Sequence, residues 1–389
     1  MSKNKQSVMY VVNHAAFFIS HRLPIALRLV DKGASVSLAT GQPGSEVMEE
    51  GAEETLKASN IDFYRLKFTS SGLNPLREVF GLIQLFVKVL SVKPDIIHTA
   101  SPKGGLLGGI VARVLGVKKL VVAVSGMGHL FTGDAQGALR VAKWIYLQLI
   151  RWIYKHPNIT IIVQNSDDRN TLLNQKFASD EAICLIPGSG VHISKYAPIK
   201  SEDATKMVLF PARMVRDKGI IEFVTAAKIL KENGCDWSFV LAGAADYDNP
   251  SAISENKILE WENLGLIKWY RYQVDMVSLY SKSGIVCLPS YREGMPKCLL
   301  EAAAAGRAVV TTDVVGCREA ILPGITGDLV PAYSGECLAD TLEALISDRR
   351  RRESYGLEGR KLAEANFCIE NIIDKTLQIY GIDNHKANS

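Results

Sequence analysis

The sequence predicts an α/β protein built from two doubly wound, Rossmann-like domains facing a cleft, and three observations carry that expectation. Its 389 residues exceed what one ordinary core needs and suffice for two. Short apolar runs rich in β-branched residues alternate with amphipathic stretches, the rhythm of strand–helix–strand units that build parallel sheets. The rhythm stops once, at GSGVHISKYAPIKSEDA (188–204), where Gly188, Gly190 and Pro198 leave little apolar periodicity, as a linker would. The expected domains are 1–190 and 191–367, with 368–389 a C-terminal helix crossing back to the first.

In the first half the strands are SVMYVV (7–12), ASVSLAT (34–40), DIIHTA (95–100), KLVVAV (119–124), NITIIVQ (158–164) and AICLIP (182–187). One helix is expected up to Lys32 and another up to about Ser59. The second series is MVLFPA (207–212), a helix from Lys218, WSFVLAG (237–243), GIVCLPS (284–290) and RAVVTT (307–312). From Gly335 the pattern is helical, ending in a helix over about 369–381. Ligands of such sheets sit beyond the carboxyl ends of the strands, so the loops after these runs are where function is sought.

Composition narrows the class. Hydrophobic residues at 47% and charged residues at 22% exclude both a disordered chain and an integral membrane protein. The seven cysteines include no C-x-x-C pair and no Cys/His cluster at metal-ligand spacing, which suits reduced thiols in a cytoplasmic protein and implies no metal site. The apolar run near the N-terminus is too short for a signal peptide, and no 18 apolar residues pass without a charge, so neither export nor a spanning helix is expected. The net charge of +4 is uneven: residues 1–190 carry 21 Lys/Arg against 14 Asp/Glu, the rest 24 against 27. A basic N-terminal half faces phosphates, of a lipid, a nucleic acid or a phosphorylated acceptor, or is a solvated surface excess.

The most informative segment is PSYREGMPKCLLEAAAAGRAVVTTDVVGCREAI (289–321). It leaves a buried strand, turns at Gly294 and enters a helix at Pro296, a residue tolerated at the first helical position because its missing N–H has no partner there anyway. The amides from Lys297 onward then form a site for a diphosphate. Glu293 lies in the loop beneath the helix mouth and Glu301 on the second turn, so two carboxylates bracket that site and can accept hydrogen bonds from ribose or sugar hydroxyls. Alone, the pair is better read as two solvated glutamates at an ordinary turn. Arg213, just beyond MVLFPA, and Lys218, at the head of the next helix, lie on the same sheet edge, where cations neutralise a leaving diphosphate without a metal.

At this point the sequence resembles the retaining GT-B glycosyltransferases that carry an E-x7-E signature, of the family 4-like kind. Glu293-GMPKCLL-Glu301 and Arg213-MVRD-Lys218-Gly219 both fit with the right internal spacing, and the likeness runs through almost the whole chain. It implies that Arg213 and Lys218 bind the donor diphosphate, Glu301 the ribose and Glu293 the donor sugar. The implied donor-binding set is Arg213, Lys218, Glu293, Met295, Lys297, Cys298 and Glu301, and the nucleotide sugar it implies is a UDP-sugar. One departure is WYRYQVDM (269–276), which lacks the glycine often found near Arg271, in the loop that usually meets the base.

Softer likenesses in HAAFFISHRLPIALRL (14–29), HTASPKGGLLGGIVARVLG (98–116) and SGMGHLFTG (125–133) point to bacterial enzymes that extend undecaprenyl-diphosphate-linked sugars in O-antigen or N-glycan precursor assembly, N-acetylgalactosaminyltransferases among them. The partners implied are a nucleotide sugar, a lipid-linked saccharide acceptor and an anionic membrane surface, with no nucleic acid, and the place is the inner face of the cytoplasmic membrane. The first loop, Asn13-His14-Ala15-Ala16, lacks the glycine pair of many members.

The N-terminal half is expected to bind the acceptor. His14 and His129 each follow a strand with an imidazole suited to a hydroxyl or a phosphate, His129 also being a catalytic candidate, and Lys103 follows DIIHTA where an acceptor phosphate would sit. A structural histidine is the alternative for each; His21 and Arg22 are weaker candidates. In the helix expected over 139–156, Arg140, Lys143, Trp144, Arg151 and Lys155 share one arc, which suits either a lipid headgroup layer or a solvated strip on a buried crossover helix. A GT-B-fold nucleotide-sugar epimerase, a transferase with a soluble acceptor and a non-catalytic nucleotide-sugar sensor are the rival readings.

Overall fold

The computed structural model describes residues 5–43, 49, 51–69, 74–124, 126, 137–196, 206–246, 249–271 and 275–382. The chain divides into two compact units, Met1–Ser189 with Glu370–Ser389, and Gly190–Ile369.

The first unit holds a seven-stranded, all-parallel sheet. Its strands are β1 (Ser7–Val12), β2 (Ser35–Gln42), β3 (Asp62–Thr69), β4 (Ile96–Ala100), β5 (Lys119–Val124), β6 (Ile159–Val163) and β7 (Ile183–Leu185), in the order β3-β2-β1-β4-β5-β6-β7. Parallel neighbours require crossovers, and these are supplied by α1 (Ala15–His21), α2 (Leu23–Asp31), α3 (Ala52–Ala58), α4 (Pro75–Val92), α5 (Pro102–Val114), α6 (Ala138–Ile153) and α7 (Ser166–Asn174). The expected single helix up to Lys32 is two. Arg22 closes α1 at φ −129° and Leu23-Pro24 opens α2, because proline has no N–H to extend the preceding ladder. Met9, Val11, Ile97 and Val122 form one buried face of the sheet, packed by Leu85, Leu107 and Ile153 of α4, α5 and α6.

The second unit repeats the plan with six parallel strands. These are β8 (Met207–Phe210), β9 (Ser238–Ala242), β10 (Lys268–Tyr270), β11 (Ile285–Leu288), β12 (Ala308–Thr312) and β13 (Gly327–Val330), in the order β10-β9-β8-β11-β12-β13. Their connections carry α8 (Ile220–Glu232), α9 (Glu255–Asn263), α10 (Met276–Lys282) and α11 (Lys297–Ala304), followed by α12 (Gly335–Ser347) and α13 (Arg349–Leu362). One face buries Val208, Phe210, Phe223 and Phe239 under α8 and α12; the other buries Leu209, Val286, Leu288 and Leu299 under α10 and α11.

A π-helical turn (Ala363–Phe367) leads into α14 (Ile369–Tyr380), whose last residue belongs to the first unit: the Tyr380 hydroxyl bonds to Tyr10 at 3.0 Å and to His98. Three strands carry no clear sequence signal, β3, β10 and β13. All three are sheet edges, and β10 and β13 are only three and four residues long.

Candidate active site

In each sheet the strand order reverses between two central strands, β1/β4 in the first and β8/β11 in the second, and a crevice opens there beyond the carboxyl ends. In the second unit this is where the candidate donor residues fall.

After β8 the chain makes a single 3₁₀ turn, Arg216–Lys218, and α8 begins only at Ile220. The helix expected from Lys218 therefore starts two residues later, because Gly219 breaks the run at φ +75°. That glycine is required twice over, since a Cβ on it would stand 1.9 Å from the Pro289 carbonyl oxygen. The close approach brings the β8 and β11 loops together, and Ser290 Oγ and Tyr291 N each donate to the Asp217 carbonyl at 2.9 Å.

This stitching delivers Lys218 to Glu293 as a partly buried ion pair, with Ser290 Oγ donating to the same carboxylate oxygen at 2.8 Å. Burial alone pulls the Lys218 pKa down, but Glu293 more than offsets it, so the ammonium titrates above its ordinary range. The Glu293 amide donates to the Val315 carbonyl at 3.1 Å, and Gly316, at φ +80°, lies so near that a Cβ would meet the Glu293 carbonyl oxygen at 2.5 Å. Arg213 lies near enough to Lys218 to oppose its charge, and its guanidinium pairs with Asp246 in the β9 loop while remaining half exposed.

Helix α11 begins at Lys297; Pro296 is its N-cap at ψ 112°, one residue earlier in role than expected. An extended ψ places proline just outside the helix, where its ring offers no capping acceptor and the positive end of the helix dipole meets the loop. Glu301, on the second turn, accepts from the Tyr280 hydroxyl at 3.0 Å and stands 3.8 Å from Lys297 Nζ. Met295 packs into the core beneath, and Cys298, partly buried, packs against it. The Cys298 thiol is pushed far up by burial and then by Glu293, with Glu301 adding to it, which places it between the two carboxylates.

The arrangement has cations and helix amides for a diphosphate and carboxylates for hydroxyls, side by side. Sequence reasoning missed Asp246, Ser290, Tyr280 and the Val315–Gly316 loop. Their partners lie 3 to 73 positions away, and nothing in spacing marks them.

The acceptor candidates stand differently. His14 is the N-cap of α1, its Nδ1 accepting from Phe17 N at 3.2 Å. Lys103 directs its ammonium to the Thr69 carbonyl and hydroxyl, both at 2.7 Å, and to Glu78 at 2.8 Å. A phosphate would have to displace that cluster. His129 lies outside the described residues.

Two such doubly wound sheets, each with a switch point, are an architecture that binds nucleotides, and comparison gives the class. The model for glycosyl transferases group 1 matches residues 195–362 and that for a glycosyl transferase 4-like domain matches 21–188. A D-inositol 3-phosphate glycosyltransferase of Corynebacterium aurimucosum is 33% identical over 365 residues, 86% of this chain and 83% of its own. The N,N'-diacetylbacillosaminyl-diphospho-undecaprenol alpha-1,3-N-acetylgalactosaminyltransferase of Campylobacter jejuni is 27% identical over 384 residues, 95% of this chain and 97% of its own. Among solved structures, Anabaena HepE in complex with UDP and glucose superposes with a TM-score of 0.73 at 16% identity, over 97% of this chain and all of that one. The chain belongs to this glycosyltransferase family and has the GT-B fold.

Proposed function

We propose that the protein is a retaining transferase that moves a hexose or N-acetylhexosamine from a UDP-sugar to a lipid-diphosphate-linked saccharide in surface-glycan assembly. The observation that carries the reading is the meeting of Lys218, Glu293 and the N-terminus of α11 at the β8/β11 switch point. The donor diphosphate lies across the α11 amides with Lys218 and Arg213, each cation turning from its carboxylate to a phosphate oxygen. Glu301 accepts from the ribose and Glu293 from the donor sugar. As the sugar–phosphate bond lengthens, charge grows on the diphosphate and these donors stabilise it. The acceptor hydroxyl attacks from the face the leaving group vacates, and the departing phosphate takes its proton, so configuration is retained without a separate base.

Relatives named for undecaprenyl-diphosphate-linked substrates in Campylobacter jejuni and Escherichia coli, matching over 95% and 79% of this chain, support the acceptor class, to be bound by the N-terminal unit. For membrane association the support is two helices of that unit. Among the described residues no helix is long and apolar enough to cross a membrane. Yet α4 carries Leu76, Val79, Phe80, Ile83, Val87 and Leu90 on one side, all half exposed or more, and α6 presents Trp144 at 62% exposure beside Arg140 and Arg151. Apolar side chains on α4 and cationic ones on α6, two helices that both pack on α5, suit an anionic headgroup layer at the cytoplasmic face.

The test is a donor screen against membrane-extracted lipid-linked acceptors with excess EDTA present. Transfer with retained configuration is expected; a strict need for a divalent metal, or epimerisation of the nucleotide sugar without acceptor, would replace the reading. Vesicle sedimentation checks the membrane part. Binding to anionic vesicles should fall with salt and fall further in a Phe80→Ser/Ile83→Ser/Trp144→Ser variant, whereas equal binding to neutral vesicles would favour a soluble acceptor.

A further inference from the structure

The Glu301 carboxylate is held by a group to which the mechanism above gives no part. Tyr280, on α10, is fully buried, and its hydroxyl donates to Glu301 Oε2 at 3.0 Å. Its ring packs edge-on against Tyr196 at 5.8 Å between centroids, and Tyr196 is itself buried. Both phenols are driven well above their ordinary range, first by burial and then by Glu301, so both stay protonated at any physiological pH. A glutamate on the second turn of a short helix has three rotatable bonds and, left to itself, samples several rotamers. Pinning one carboxylate oxygen to a ring locked on every side removes most of that freedom. The other oxygen, Oε1, stays on the side of Lys297, 3.8 Å from its ammonium.

We propose that Tyr280 is a positioning residue: its hydroxyl fixes the Glu301 carboxylate in the orientation that accepts the vicinal hydroxyls of a nucleotide ribose. This rests on the assignment of Glu301 to the ribose. A carboxylate oxygen has two lone pairs, so Oε2 accepts from Tyr280 and retains capacity, while Oε1 is aimed by the same bond. The contribution is one of preorganisation, since the bound nucleotide then has no glutamate rotamer to freeze. It acts on binding and leaves the chemical step alone.

The test uses the full chain and calorimetric binding of two probes, UDP and 2′,3′-dideoxy-UDP, to wild type, Tyr280→Phe, Glu301→Ala and the double variant. Phenylalanine keeps every carbon of the ring and removes only the donor, and thermal unfolding verifies that the fold is retained. Wild type should prefer UDP by about tenfold, the value of one hydrogen bond to a charged group. Tyr280→Phe should shrink that preference to about twofold without changing affinity for the dideoxy probe, and adding it to Glu301→Ala should cost nothing more. In turnover, donor KM should rise while kcat stays within about twofold. A Tyr280→Phe variant that keeps the wild-type preference, or weakens both probes equally, overturns the proposal and leaves Tyr280 as packing. A wild type with no preference for UDP instead overturns the ribose assignment of Glu301 itself.

Discussion

The two sheets reverse strand order in the same way, yet they furnish their switch points differently. At β8/β11 the polar groups are charged and come from separate loops: Lys218 meets Glu293, Arg213 meets Asp246, and Tyr280 holds Glu301. At β1/β4 the described bonds also join separate loops, but they include one charged pair, Lys103 with Glu78, among neutral partners. Ser101, held at φ +78°, donates to Asn13 Oδ1; His14 caps its own helix; Lys103 ties the β3–α4 connection through Thr69 and Glu78. Topology thus supplies two crevices of one kind, and residue chemistry decides which one can manage a developing negative charge.

The sharpest break in that comparison comes from removing the cations of the second crevice. Arg213→Ala and Lys218→Ala should each lower kcat by about 10² or more, since losing one preorganised donor to a developing anion costs roughly 3 kcal/mol. Steady-state turnover at saturating donor is the measurement, with circular dichroism to verify folding because Lys218→Ala also leaves Glu293 unpaired. Near-normal kcat in both would mean the charged crevice is structural and the two switch points are equivalent after all.

A smaller effect should appear at the first crevice. If Lys103 is a clamp, Lys103→Ala and Glu78→Gln should lower stability alike, by about 1–3 kcal/mol for a half-buried charged bond, and change acceptor KM less than about threefold. An acceptor KM that climbs steeply in Lys103→Ala but not in Glu78→Gln would show that the lysine leaves its clamp to meet a phosphate, and the crevices would be more alike than they stand.

What the sequence made legible follows from how locally each feature is encoded. Strands buried on both faces, such as β1, β5 and β11, read as continuous apolar runs and lie within a residue or so of where periodicity puts them. The edge strand β3 alternates exposed and buried positions in a chain segment full of charge, and β10 is three residues long, so neither rises above its flanks. In the site, Lys297 and Glu301 lie one turn apart on α11, so spacing fixes their relative placement, while Glu293 is tied to them by the short loop before the helix. The second layer was not legible in this way. Arg213 finds Asp246 only after the β8–α8–β9 crossover has folded, and Glu301 finds Tyr280 only once α10 and α11 have come together, while a tyrosine before a strand looks like any core aromatic.

The smallest expected effect separates the units by pH. His98, on β4, is fully buried against Tyr10 and Tyr380, with Arg22 nearby, and its pKa is held well below the ordinary value, first by burial and then by the Arg22 charge. His156, also in the first unit, is lowered by burial. In the unfolded chain both titrate near 6.5. Above that pH neither state carries the proton and nothing is gained or lost. Below it the unfolded chain binds protons that the folded unit refuses, so stability drains as pH falls, by about 1 kcal/mol per histidine for each unit below 6.5. The second unit, Gly190–Ile369, contains one histidine, His192, two residues from its start. Hydrogen exchange at pH 7.5 and 5.5 should therefore lose protection first in β1, β4 and α14, the elements that surround His98, while β8 and β11 keep theirs. His98→Asn, which cannot take up the proton, should blunt the loss. Equal loss in both sheets would mean that acid acts through general charge repulsion and that the polar cluster joining Tyr10, His98 and Tyr380 is no weaker in acid than the apolar core around it.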